Sequence, residues 1–317
     1  MFTVFSKPTQ TRDKLLKAKI LVFLFLLACL PGCYSGSVKP LLNRPEFKAE
    51  NEPIRILRIL LITDVSYQKD EIEKFVSKCS RLAEMQVGIR LEIVDGYQIK
   101  WEDELEDIIK MEMRIAADTW SKRERFDIAL TFVNFVQRVR GGKFPLGATD
   151  TFFWRYLFVK ELDPYILLHE LFHAFLLEQG DSGSWVMKAA RPPYGGEWYW
   201  LTPEDRKKVL RNKWRDFNIM PATEHEEARK SNESWFYYNL GSTYLQRREF
   251  EQAILLLNKS LEINPAYADA YVSRGRSHYF RGEYDKSWED IKKAQDLGYT
   301  IPAEFLNDLR RASGRNK

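Results

Sequence analysis

Residues 163–180 read DPYILLHELFHAFLLEQG, and this stretch decides how the rest of the chain is read. Asp163 is a helix N-cap, Pro164 suits the first helical position, and Gly180 supplies a stop, so the sequence predicts a helix from Pro164 to Gly180. Leucines and phenylalanines surround its polar residues on nearly every side, which places the helix at the centre of a core. Within it His169, Glu170 and His173 form HExxH. Positions i and i+4 lie one above the other on a helix, so both imidazoles can reach one metal ion while Glu170 stands beside them to take a proton from water. An unpaired imidazole or carboxylate in so apolar a helix is costly, which favours a metal over two incidental histidines.

Upstream, strand and helix alternate. Ile54–Val65 is a β-branched run of buried-strand type, Lys69–Leu82 has helical spacing of Ile72, Phe75, Val76 and Cys79, and Val87–Val94 is a second strand. A helix over Asp103–Trp120, a strand over Asp127–Phe135 and another over Thr151–Val159 complete the series. This order predicts a mixed, mainly parallel sheet with helices packed on it. Downstream come a loop rich in glycine, proline and aromatics (Asp181–Trp200) and a helix from Thr202 to Trp214. Residues 218–233 are polar and charged and read as a linker.

The region from Asp150 to Trp214 resembles the metzincin zinc peptidases, matrixin branch, whose motif HExxHxxGxxH is followed by a methionine-containing turn. Met187 lies 14 residues after His173, a spacing like that Met-turn. The resemblance implies a zincin-like α/β (α+β) domain over 54–219, bound Zn2+, and hydrolysis of a peptide or protein substrate by metal-activated water. Glu170 is then the catalytic base, His169 and His173 are metal ligands, and Gly142–Thr151 is an edge strand and loop able to pair with substrate backbone. The family glycine falls on Leu176 and the third histidine on Gln179. Without that glycine the helix can continue to Gly180, which brings Asp181 near the metal. Asp181 is the preferred third ligand, ahead of Gln179 and of Glu197, the last resembling the downstream glutamate of gluzincins. Glu178 lies off the histidine face, and His225 sits among Glu224, Glu226 and Glu227 as a solvated residue. Tyr194 and Trp198–Trp200 are candidates to line the cleft.

Gly241 and Gly275, Tyr237 and Tyr271, and Phe250 and Tyr284 are each 34 residues apart. With Leu240, Tyr244, Ala253, Leu257 and Pro265, this period over 234–300 resembles two tetratricopeptide repeats, an all-α module that binds a protein partner. Arg248, Ser260, Arg274, His278 and Ser287 depart from the smaller or more apolar residues the family prefers. Pro302–Arg311 reads as a helix capping the stack, within a tail over 301–317.

Residues 1–32 carry five basic side chains and one acidic, then the uncharged run Ile20–Leu30, the anatomy of a secretory signal. Leu30-Pro31-Gly32-Cys33 resembles a bacterial lipobox, with Cys33 the lipidated residue and Cys29 the alternative. The resemblance implies export to the cell envelope and membrane attachment through a lipid anchor, with residues 33–53 as a tether. The net charge of the first 32 residues is +4 and so is that of the whole chain, leaving the remainder near neutral. Nucleic acid is excluded as a partner, because phosphate binding needs a surplus of Lys and Arg. Cys79 would be the one cysteine left unlipidated, a small buried hydrophobe. A second functional reading keeps the repeats as the working part and the HExxH domain as a catalytically impaired scaffold.

Overall fold

The computed structural model describes residues 52–100, 108–133, 147–178, 185–187, 200–222 and 226–315. Five strands form one sheet: β1 (Arg55–Asp64), β2 (Ile89–Ile99), β3 (Ile128–Phe132), β4 (Gly147–Thr149) and β5 (Tyr156–Val159), in the order β2-β1-β3-β5-β4. All neighbours pair in parallel except β4, which runs antiparallel to β5 at one edge. Helix α1 (Lys69–Val87) joins β1 to β2, and α2 (Ile108–Thr119) leads from β2 towards β3. The chain moves one strand in one direction and then crosses back over β1. Right-handed crossovers therefore set α1 and α2 on opposite faces of the sheet. β3 and β5 are buried along their whole length, whereas β2 alternates buried and exposed as an edge strand does.

The HExxH helix α3 (Pro164–Leu176) packs on the α1 side with α4 (Pro203–Asn212) behind it. Asp163 caps it by accepting from the Tyr165 N–H at 2.9 Å. Its far end differs from the sequence expectation. The helix stops at Leu176 and not at Gly180, because Leu177 takes a left-handed conformation (φ 59°) and its N–H donates back to His173 O. Two side chains, one at the end of α4 and one just beyond it, secure that stop. Asn212 Nδ2 donates to Phe175 O at 2.7 Å and Arg215 to Ala174 O at 3.0 Å, satisfying carbonyls that a longer helix would have bonded itself.

The expected strand over Thr151–Val159 is shorter than the apolar run suggests. Asp150 accepts from the backbone N–H groups of Phe152, Phe153, Trp154, Arg155 and Tyr156 at 2.5–3.1 Å, so residues 151–155 wrap around one carboxylate and only Tyr156–Val159 joins the sheet. β2 runs past Val94 to Ile99, with a bulge opposite Ile59/Leu60. Cys79 is buried and its thiol is pushed up by desolvation, in keeping with a packing residue.

The C-terminal region is helical: α5 (Glu226–Gln246), α6 (Phe250–Ile263), α7 (Ala268–Phe280), α8 (Tyr284–Asp296) and α9 (Ala303–Ser313). Residues 226–233, expected in the linker, are instead the first two turns of α5, where Arg229 pairs with Glu226 and Glu233 along one face. Nor is this region a separate body. Phe236, fully buried, meets Trp120, Phe152 and Phe153, and Tyr244 Oη donates to Ala117 O at 2.7 Å, so α2, the Asp150 loop and α5 share one core.

The departures from the repeat pattern compensate in pairs. Ser234 and Ser260 each donate to the other's carbonyl, Arg274 bonds both oxygens of Asp290, His278 Nδ1 meets Glu283 at 2.7 Å, and Ser287 donates to Gly275 O. Arg248 closes α5 at φ 62°. Gly241 permits close helix contact, since a Cβ there would lie 2.8 Å from Leu257 Cγ. Among the described residues no helix is long and apolar enough to cross a membrane.

Candidate metal and proton-transfer site

α3 brings His169 and His173 together one turn apart. Their Nε2 atoms are 3.1 Å apart and their rings meet edge to face at 82°. Each Nδ1 is held by a backbone carbonyl, His169 on Val186 O at 2.8 Å and His173 on Glu178 O at 2.9 Å. A carbonyl oxygen only accepts, so each Nδ1 carries the proton, and in the neutral rings both Nε2 atoms present lone pairs. Two ring nitrogens at that separation are close enough to share one cation. A carbonyl fixing Nδ1–H is also the arrangement that orients metal-bound histidines.

The carbonyls come from two irregular segments. Val186 belongs to the 3₁₀ turn Trp185–Met187, tied at Val186 N to Trp200 O, with Met187 fully buried in it. Glu178 follows the left-handed Leu177, so the early helix stop is what turns its carbonyl onto His173. Its carboxylate is engaged elsewhere, by Lys208 at 2.9 Å.

Glu170 is buried and approached from the edge strand. Thr149 Oγ1 on β4 lies 2.8 Å from Glu170 Oε2 and 2.9 Å from Glu170 O, placing this hydroxyl against both the side chain and the backbone of the motif glutamate. Gly147, two residues earlier on the same face of β4, leaves the space that the carboxylate fills: a Cβ there would sit 2.6 Å from Oε1. Neither residue carries a sequence signal of this role, because the contact depends on β4 lying antiparallel beside β5 and over α3. The nearest hint is the edge strand that the resemblance implied.

Among the described residues no group of three His, Cys, Asp or Glu side chains could hold a metal. Asp181, Gln179 and Glu197, the expected third ligands, lie outside the described residues, as do Tyr194, Trp198, His225, Cys29 and Cys33. Trp200 is buried. The donor set that is described, two converging imidazole nitrogens with oriented rings, fits zinc as two of its ligands.

A second polar cluster lies under α2. Glu112 is buried with Oε1 lacking a hydrogen-bond partner, and desolvation pushes its carboxyl well above the ordinary range, aided by nearby Asp150. Burial also raises Tyr97 and Tyr156.

Residues 234–267 match the family model for the tetratricopeptide repeat. That span covers α5 from Ser234 onward, α6 and the turn into α7, so one helical hairpin of the C-terminal region matches the repeat. Among solved structures, archaemetzincin from Methanopyrus kandleri is similar, at 15% sequence identity over 50% of this chain and 96% of that chain, with a TM-score of 0.37. A likeness of that size bears no weight for fold or activity. No curated protein matches the sequence.

Proposed function

We propose that the chain is a zinc-dependent peptidase of the zincin type, exported and held at a membrane by a lipid on Cys33, whose tetratricopeptide repeats bind a protein partner or substrate. The observation that carries the peptidase reading is the pair of Nε2 atoms 3.1 Å apart with both Nδ1 atoms committed to carbonyls. His169 and His173 would hold the ion, with a third donor from Asp181, Gln179 or Glu197. When bound, zinc supplies a Lewis acid for water and for a peptide carbonyl.

The remaining work falls to this chain's own groups. Glu170 takes the proton of the attacking water and returns it to the leaving amine. Thr149 and Gly147 keep its carboxylate in one position, which matters because general bases act only within hydrogen-bond reach. Among the described residues β4 is the edge of the sheet, and its outer side offers backbone groups for an extended peptide beside that carboxylate. The rigid core shared by α2 and α5 fixes the repeats relative to the sheet, so whatever they bind is presented in a constant orientation.

Cleavage of an unstructured protein by the full chain, its loss in Glu170→Gln and its loss on chelation test the reading. The variants Asp181→Ala, Gln179→Ala and Glu197→Ala separate the third ligands by which one weakens zinc binding. Full metal binding without cleavage would favour the repeats as the working part.

A further inference from the structure

The end of the sheet where β1 begins carries side chains that the peptidase reading leaves unused. Four of the large apolar residues that remain exposed are found there: Ile54 (46%), Ile56 (48%), Trp214 (60%) and Ile219 (64%). Arginines and a lysine bind these segments into one surface. Arg55 donates to Lys213 O and Arg215 O and lies 6.0 Å from the Trp214 ring, while Lys213 Nζ donates to Pro53 O. Arg58 donates to Glu124 O in the 3₁₀ turn Trp120–Arg125. Arg155 joins that turn to the segment before Ile219, reaching Arg123 O and Phe126 O on one side and Phe217 O and Asn218 Oδ1 on the other.

This end is also cationic. Lys122, Arg125 and Arg211 are exposed around it, and beneath them burial, with Arg55 and Arg155 close by, pushes Arg215 down to about 10. Among the described residues the carboxylates here are the exposed Glu124, Asp216 and Glu92, the half-exposed Glu52 beside Lys213, and Asp127, which is paired with Arg58. Exposed tryptophan and isoleucine among basic residues is the composition of surfaces that sit at the headgroup level of a bilayer. The polypeptide supplies the direction. Everything before Pro53, including the apolar run Ile20–Leu30, joins the folded body at this end. On the anchoring reading, Cys33 is 20 residues from Pro53, a reach of roughly 70 Å at most, so the tether lets this end contact the membrane.

We propose that this end rests on an anionic bilayer, with Trp214, Ile54, Ile56 and Ile219 among the headgroups and Lys122, Arg125 and Arg211 on lipid phosphates. The inference rests on the anchoring reading above and adds a defined membrane-facing surface to it.

The test uses the full chain reconstituted into vesicles of phosphatidylglycerol and phosphatidylcholine with brominated acyl chains. Flotation reports the anchor and tryptophan quenching reports the docked face. The expected result is quenching that Trp214→Phe reduces by roughly half or more, and that Arg125→Glu with Arg211→Glu, or vesicles of phosphatidylcholine alone, largely remove. Ile219→Ser gives a second variant at an exposed position, expected to weaken quenching without loss of fold. A chain that floats but is quenched equally with and without Trp214 overturns the docking face and leaves the anchor standing. Failure to float overturns both. A concentration-dependent dimer in detergent that Ile219→Ser dissolves would reassign this face to a second copy of the chain and overturn the proposal.

Discussion

A side chain on Gly147 would collide with the carboxylate of Glu170, since a Cβ built there falls 2.6 Å from Oε1. The neighbour that must yield is the flexible end of a glutamate, so the fold tolerates the change while the proton acceptor moves. Gly147→Ala is expected to keep its melting temperature within a few degrees and to lose cleavage by about 100-fold, the scale of an ångström-sized misplacement. Steady-state kinetics beside thermal unfolding checks it; full activity would contradict the placement of Glu170.

Thr149 holds the same carboxylate by hydrogen bonding at 2.8 Å. Thr149→Val removes the hydroxyl at nearly constant shape and is expected to lower kcat about tenfold with little change in KM, whereas Thr149→Ser restores most of it. Full activity in Thr149→Val beside a loss in Thr149→Ser would mean that the methyl group, not the hydroxyl, is what matters.

Glu112 gives a pH dependence whose sign follows from burial. Its folded pKa is raised, so its contribution to stability is complete below the ordinary carboxylate range, about pH 4, and is lost as pH rises through the folded value. Glu112→Gln keeps the shape without the charge. The variant is expected to melt higher than wild type at pH 7 and to converge with it near pH 4, read by calorimetry across that range. A difference that grows towards low pH would contradict the assignment.

Phe236 ties the repeats to the sheet domain through Trp120, Phe152 and Phe153. A shared core predicts one cooperative unfolding transition for both regions, and Phe236→Ala is expected to cost about 3–5 kcal/mol and to split or broaden it. Two well-separated transitions in wild type would show that the regions fold independently.

Local signals made the first half of this architecture legible. The β-branched run before Asp64, the spacing of Ile72, Phe75, Val76 and Cys79, and the Asp163-Pro164 start of α3 each act within a few residues and each gave the element that is seen. The 34-residue period did the same for the repeat at 234–267. What escaped depends on residues distant in sequence. The end of α3 is set by Asn212 and Arg215, some 40 positions on, so Leu177 adopts a conformation that its own side chain disfavours. Thr151–Arg155 has the composition of a strand, yet five N–H groups turn to Asp150 instead. Glu226–Glu233 reads as polar linker because its helix is stabilised by charge pairs and by packing further along, not by an apolar stripe. In the site, HExxH named the three central residues, but Thr149, Gly147 and the carbonyls of Val186 and Glu178 reach them only through the fold.

Whether His169 and His173 hold a metal is decided by zinc analysis of the purified full chain. One zinc per chain is expected, lost in His169→Ala and in His173→Ala and retained in Glu170→Gln, which no longer cleaves. A chain that takes up no zinc, or that keeps it in both histidine variants, would rule out a metal site on His169 and His173.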